Sequence, residues 1–164
     1  MNELFLITGG NLGNRIAYIN TAKSIIGERI GDVIGASGIY ETDAWGLTDQ
    51  PSFLNQVLQV STILSPNEVL IAIHKIEKEL DRKRVQKYGA RTMDIDILFY
   101  GSTVVDTETL TIPHSQIPNR NFVLVPLADI AGNFVHPQSG KTVQELLDNS
   151  VDRLNVRKFI EKSD

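Results

Sequence analysis

The run Thr92-Met93-Asp94-Ile95-Asp96-Ile97-Leu98-Phe99-Tyr100 is the tightest constraint on what this chain can fold into. Side chains alternate across a strand, so a strand over 92–100 puts Met93, Ile95, Ile97 and Phe99 on one face. That face needs a covering of helices. Asp94 and Asp96 then point together from the other face. Two carboxylates held this close repel each other, and Asp is disfavoured in strands; a cation between them relieves the repulsion. Oxygen ligands on a rigid strand, with room left for water and phosphate, suit Mg²⁺. The plainer alternative is a solvated strand face. Acid-X-acid pairs also serve glycosyltransferases and nucleases, so the pattern indicates a metal before it indicates a reaction.

Around this strand the chain punctuates itself. Leu4 to Thr8 reads as a buried strand that ends in a tight turn at Gly9-Gly10-Asn11-Leu12-Gly13. That glycine run matches neither a dinucleotide fingerprint nor a phosphate loop with its Lys. Helical periodicity runs from 14 to 30, with Ile16, Ile19, Ala22, Ile26 and the stem of Lys23 along one side. A strand is expected over 33–40, a loop over 43–52 with Gly46, Asp49 and Pro51, and a strand over 53–62. Ser65, Pro66 and Glu68 spell a capped helix start, and Val69, Ile73, Ile76 and Leu80 make its buried stripe. Short helices are expected near 122–129 and 142–147, and the final residues carry little signal. The order β-α-β-β-α-β predicts a ferredoxin-like α+β sandwich: a mostly antiparallel sheet, helices packed on one face, and extra C-terminal helices. A chain of 164 residues with no repeat or linker fits one catalytic domain, 1–164.

Composition narrows the partners. A formal charge of −4 argues against a protein that coats nucleic acid, and the absence of cysteine excludes disulfides and thiolate metal sites. No stretch has the length of a membrane span or a signal peptide, so a cytoplasmic location is expected; a monomer is expected as well. Yet Arg82, Lys83, Arg84, Lys87 and Arg91 crowd one short segment just before the aspartates. Such a cluster is either a solvated helix end or a clamp for a small polyanion such as a nucleoside triphosphate, since guanidinium forks match phosphate oxygens. Gly89 would let the segment close as a lid.

A second group is aromatic and amide. Phe53 and Asn55 share one face of their strand, Trp45 lies in the preceding loop, and Phe122 lies just past Arg120. A flat heteroaromatic ligand could stack between rings while Asn55 reads its edge. Each Phe taken singly also suits a core. His74, His114 and His136 have no zinc spacing.

Four segments together resemble the 6-hydroxymethyl-7,8-dihydropterin pyrophosphokinases. They are the turn Gly9 to Asn14, Gln50-Pro51-Ser52-Phe53-Leu54-Asn55, the run Gly89 to Gly101, and Ile112-Pro113-His114 with Asn119-Arg120-Asn121-Phe122. The resemblance implies pyrophosphoryl transfer from ATP to the pterin alcohol, with AMP as the other product. It implies two Mg²⁺ ions on Asp94 and Asp96, phosphate contacts and catalytic charge from Arg82, Arg84 and Arg91, and nucleotide contacts from His74, Glu77, Tyr88, Ile97, Thr111, His114 and Arg120. Thr42, Trp45, Phe53, Asn55 and Phe122 would form the pterin pocket. The chain departs from the family pattern at Gly10, Tyr88, Ala90 and Thr109, none of which is an implied metal ligand. A nucleotide-sensing or RNA-binding module, and an ordinary kinase yielding ADP, are the rival readings.

Overall fold

The computed structural model describes residues 1–43, 51–80 and 93–160. Its centre is β1 (Asn2–Gly10), whose residues from Leu4 to Gly10 are all buried. A strand buried on both faces needs partners on both edges, and β1 has them: β4 (Phe53–Thr62) on one side and β5 (Asp94–Tyr100) on the other, both antiparallel. Beyond β4 the sheet continues to β3 (Tyr40–Thr42) and then to β8 (Val156–Lys158), while β2 (Asp32–Ala36) also pairs with β4. A small ladder joins β6 (Val105–Asp106) to β7 (Thr111–Ile112).

Helix α1 (Arg15–Arg29) is capped by Asn14, whose side chain accepts the Ala17 N–H at 3.1 Å. Helix α2 (Pro66–Leu80) starts on the expected reciprocal cap: Glu68 N–H donates to Ser65 Oγ at 3.2 Å, and Ser65 N–H donates to Glu68 Oε1 at 3.0 Å. Ile19, Ala22 and Ile26 of α1 and Val69, Ile73 and Ile76 of α2 pack with Leu4, Leu6, Leu54 and Leu58 on one sheet face. Helices α3 (Asn121–Ala131) and α4 (Val143–Asp148) cover the opposite face, where Phe5, Ile7 and Val57 meet Val123, Leu124 and Leu127. Helices therefore lie on both faces, not one. The reason is visible in β1, where Leu4 and Leu6 face one way and Phe5 and Ile7 the other, so both faces need cover.

Three local expectations change. The strand expected over 33–40 is two strands, because Ser37 leaves the ladder: its Oγ accepts the Val57 N–H at 2.9 Å. Gly9 and Gly10 remain in β1, and the turn proper falls on the residues after them, with Gly13 at φ +67°. Phe99 does not share a face with Met93, Ile95 and Ile97. The register of β5 against β1 shifts between Phe5 and Leu6, a bulge that sends Phe99 into the opposite core beside Phe5 and Phe134. The short strand β8 accounts for part of the C-terminal stretch that lacked a sequence signal.

Candidate active site

The bulge leaves the N-terminal end of β5 with regular alternation, so Asp94 and Asp96 emerge together at the sheet's end. They line two cavities at once. The first, of about 260 Å³, lies on the α3 side; the second, of about 350 Å³, lies against α2 and the β7 region. The carboxylate pair is the wall between them.

The first cavity is largely apolar. Phe53 from β4 and Phe122 from α3 line it, with Ile7 and Gly9 from β1. Asn55 reaches in from β4 and donates from Nδ2 to the Thr8 carbonyl at 3.3 Å. Its amide lies directly across Gly9, where a Cβ would collide with it and would stand 2.7 Å from the Leu54 carbonyl oxygen. Glycine is needed here for close approach, not for a turn. Thr42 is buried at the same cavity, and its Oγ1 has no hydrogen-bond partner among the described residues.

An ion-pair cluster braces the rim of this cavity. Arg15 Nη1 donates to Glu41 Oε2 at 3.1 Å and to the Ser52 carbonyl at 3.0 Å. Arg157 reaches Glu41 from the other side and Asp43 at 3.1 Å. The Ser52 hydroxyl, then Arg15 and Arg157, hold the Glu41 carboxyl below the usual carboxylate range, against the opposing effect of burial. The cluster links Asp43 and Ser52 to α1, β3 and β8.

The second cavity is polar. Glu77 of α2 accepts the Ile95 N–H at 2.9 Å. Burial pushes its carboxyl up to about 7; the Ile95 N–H opposes this, and the charges of Asp94 and Asp96 add to it. His114 Nδ1 accepts the Gln116 N–H at 3.1 Å, which leaves Nε2 to carry the proton and face Asp96 Oδ2 at 4.0 Å. His74, Ile97 and Thr111 also line this cavity, as do Thr109 and Leu110.

Arg120 lines the first cavity and not the second. Trp45, Arg82, Arg84, Tyr88 and Arg91 lie outside the described residues. Sequence reasoning missed Gly9, Asp43, Asp152 and Leu154 as cavity residues. Of these only Gly9 carries a sequence signal, in a glycine run that reads as a turn.

Among the described residues no three His, Cys, Asp or Glu side chains converge as a closed metal site. Asp94 and Asp96 are the carboxylates here that could hold a Mg²⁺ ion, which takes one or two carboxylates together with substrate phosphates. The paired carboxylates of Asp94 and Asp96 fit a cation too.

Two cavities that share one acidic wall, on a mixed α/β fold with an antiparallel sheet, set the frame for the comparison with known proteins. The model of the family 7,8-dihydro-6-hydroxymethylpterin-pyrophosphokinase (HPPK) matches residues 5–132, and the chain belongs to that family. It is 41% identical over 145 residues to the 2-amino-4-hydroxy-6-hydroxymethyldihydropteridine pyrophosphokinase of Aquifex aeolicus, covering 88% of this chain and 90% of that protein. With the enzyme of the same name from Haemophilus influenzae it shares 35% over 159 residues, 94% of this chain and 99% of that one. Against the folic acid synthesis protein fol1 of Pneumocystis carinii the identity is 40% over 149 residues, 91% of this chain but only 20% of that protein. The Plasmodium falciparum HPPK-DHPS structure with SDX-DHP superposes with a TM-score of 0.72 at 18% identity, over 90% of this chain and 43% of that one, which speaks for the fold alone. The chain thus spans a fifth of the fungal relative and under half of the parasite protein, but nearly all of the bacterial enzymes.

Proposed function

We propose that this chain transfers the pyrophosphoryl group of ATP to 6-hydroxymethyl-7,8-dihydropterin, giving the pterin diphosphate and AMP in folate biosynthesis. The observation that carries the reading is the Asp94–Asp96 wall shared by an aromatic, amide-edged cavity and a polar one. The pterin ring lies between Phe53 and Phe122, its edge read by Asn55, with backbone contact from Thr42 at the same cavity. ATP occupies the second cavity beside His74, Glu77, Thr111 and His114, with its phosphates directed to the carboxylate wall. Asp94 and Asp96 hold Mg²⁺, which when bound neutralises phosphate charge and supplies Lewis acidity. Tyr88 and Ile97 are assigned to the nucleotide, Trp45 to the pterin, and Arg82, Arg84 and Arg91 to the phosphates, all by the family resemblance.

The hydroxymethyl oxygen attacks the β-phosphorus and gives up its proton to solvent, the bond from that phosphorus to the α-phosphate oxygen breaks, and AMP leaves. Arg120, at the aromatic cavity, adds positive charge beside the site of attack. Fixing both ligands against one wall supplies much of the rate through proximity. The strand order β5-β1-β4 with β2 and β3 beyond β4 supports a ferredoxin-like core, extended by α3, α4 and β8. The reading includes one catalytic domain acting as a cytoplasmic monomer; among the described residues no helix is long and apolar enough to cross a membrane.

Incubation with ATP, Mg²⁺ and the pterin alcohol, followed by separation of the nucleotides, tests the assignment. Pterin-dependent AMP without ADP is expected. ADP would make the chain an ordinary kinase, and untouched ATP would point to a binding module.

A further inference from the structure

The chain past α4 makes a wall for the first cavity. Val151, Arg153 and Asn155 are exposed while Asp152, Leu154 and Val156 are half-buried, the period-two pattern of an extended segment with one inward face. Leu154 and Asp152 line the aromatic cavity, on the same surface as Phe53 and Phe122. This stretch lies beyond the residues matched by the family model.

Asp152 also reaches the element that carries Phe122. Its Oδ2 accepts the Asn121 backbone N–H at 2.8 Å, and its carbonyl accepts Asn121 Nδ2 at 3.0 Å. Asn121 opens α3 between Arg120 and Phe122, and the N-cap Arg120 makes no side-chain cap of its own. The carboxylate therefore satisfies an orphan donor of that helix from across the chain. Its Oδ1 accepts the Leu154 N–H at 3.0 Å, so one side chain sets both the helix start and the apolar wall.

The segment is anchored downstream. Val156 pairs with Thr42 and Lys158 with Tyr40, the Phe159 N–H donates to the Ile39 carbonyl at 2.8 Å, and Arg157 grips Glu41 and Asp43. Anchored on one side by β3 and on the other by α3, residues 152–154 are held against the space the heteroaromatic ring would fill.

We propose that Leu154 is a specificity-determining wall of the pterin site and that Asp152 is a positioning residue that sets Phe122 against the ring. The proposal rests on the pterin reading of the first cavity. Its chemistry is apolar contact to a flat ring from Leu154, with the Asp152 cap fixing how far α3 stands from that ring.

The test uses the full chain with Leu154→Ala, Asp152→Ala, Asp152→Asn and, as a control on the outward face, Arg153→Ala. Calorimetric titration with 6-hydroxymethylpterin in the presence of Mg²⁺ and a non-hydrolysable ATP analogue is paired with titration of the analogue alone, steady-state kinetics and thermal melts. Leu154→Ala should raise the pterin Kd and KM about tenfold or more, as loss of apolar contact in a pocket does. Affinity for the analogue and kcat at saturating pterin should stay within about twofold of the parent. Asp152→Ala should shift the pterin terms in the same direction, Asp152→Asn should recover much of the loss because its amide oxygen still accepts the Asn121 N–H, and Arg153→Ala should match the parent. Unchanged pterin affinity in both Leu154→Ala and Asp152→Ala overturns the proposal while leaving the pterin site standing. Parallel loss of both ligands with a collapsed melt overturns it in favour of a purely structural segment. A parent protein that binds the analogue but no pterin overturns the site reading and this proposal together.

Discussion

Asp96 stands where the two cavities meet, with about half of its side chain open to solvent, 48% by area. A group so placed contributes little to packing, so its role separates cleanly from stability. Asp96→Ala should abolish turnover with an unchanged melting curve; near-parental rates with normal Mg²⁺ dependence would remove the carboxylate from the metal. Gly9 makes the converse case, a residue with no side chain whose emptiness matters. Gly9→Ala drives a methyl into the Asn55 amide and toward the Leu54 carbonyl. Pterin affinity should fall by an order of magnitude or more while ATP affinity holds, since an edge-reading amide displaced by about 1 Å no longer meets its partners. Equal pterin affinity in titrations of the two proteins would show that Asn55 does not read the ring. The acidic pair was legible in the sequence because alternation along a strand is local. The glycine was not, since what occupies the space over Gly9 comes from a strand more than forty residues later.

Elements with their own chemistry at both ends could be read directly. Strand β4 has the bounds its composition predicts, and α2 begins at Pro66 behind the Ser65–Glu68 cap. Ser65→Ala removes the side-chain acceptor for the Glu68 N–H and should cost about 1 kcal/mol, seen as a melting midpoint lower by about 3 °C. An unchanged midpoint would mean that the packing of α2 makes the cap redundant. Strand β5 shows the limit of such reading. Its alternation points to one apolar face through Phe99, and the bulge opposite Phe5 and Leu6 divides that face between two cores. Nothing local marks it; the aromatic cluster of Phe5, Phe99 and Phe134 on the far side does. Strand β8 was illegible for a similar reason, since among the described residues Val156 to Lys158 pair with β3, far away in sequence.

For the whole molecule, the second core is where acidity should tell. His136 is buried beside Phe99, their ring centroids 5.6 Å apart, and its Nδ1 accepts the Gln138 and Ser139 N–H groups, each at 3.2 Å. Burial pushes this imidazole below its ordinary range. A group with a depressed folded-state pKa lends its full stability above the unfolded value, about 6.5, and loses it as the pH falls through the lower folded value. The melting midpoint should therefore drop on acidification below that point, and His136→Asn, which keeps an acceptor but does not titrate, should drop less. Parallel pH profiles would clear His136. The placement of β1 has a further consequence, for synthesis. Leu4 pairs with Val60 on one side and with Tyr100 on the other, so the strand translated before either partner is enclosed only after both have emerged. Until then its run of Leu4, Phe5, Leu6 and Ile7 stays uncovered on the nascent chain, a ready target for whatever in the cell holds apolar segments apart.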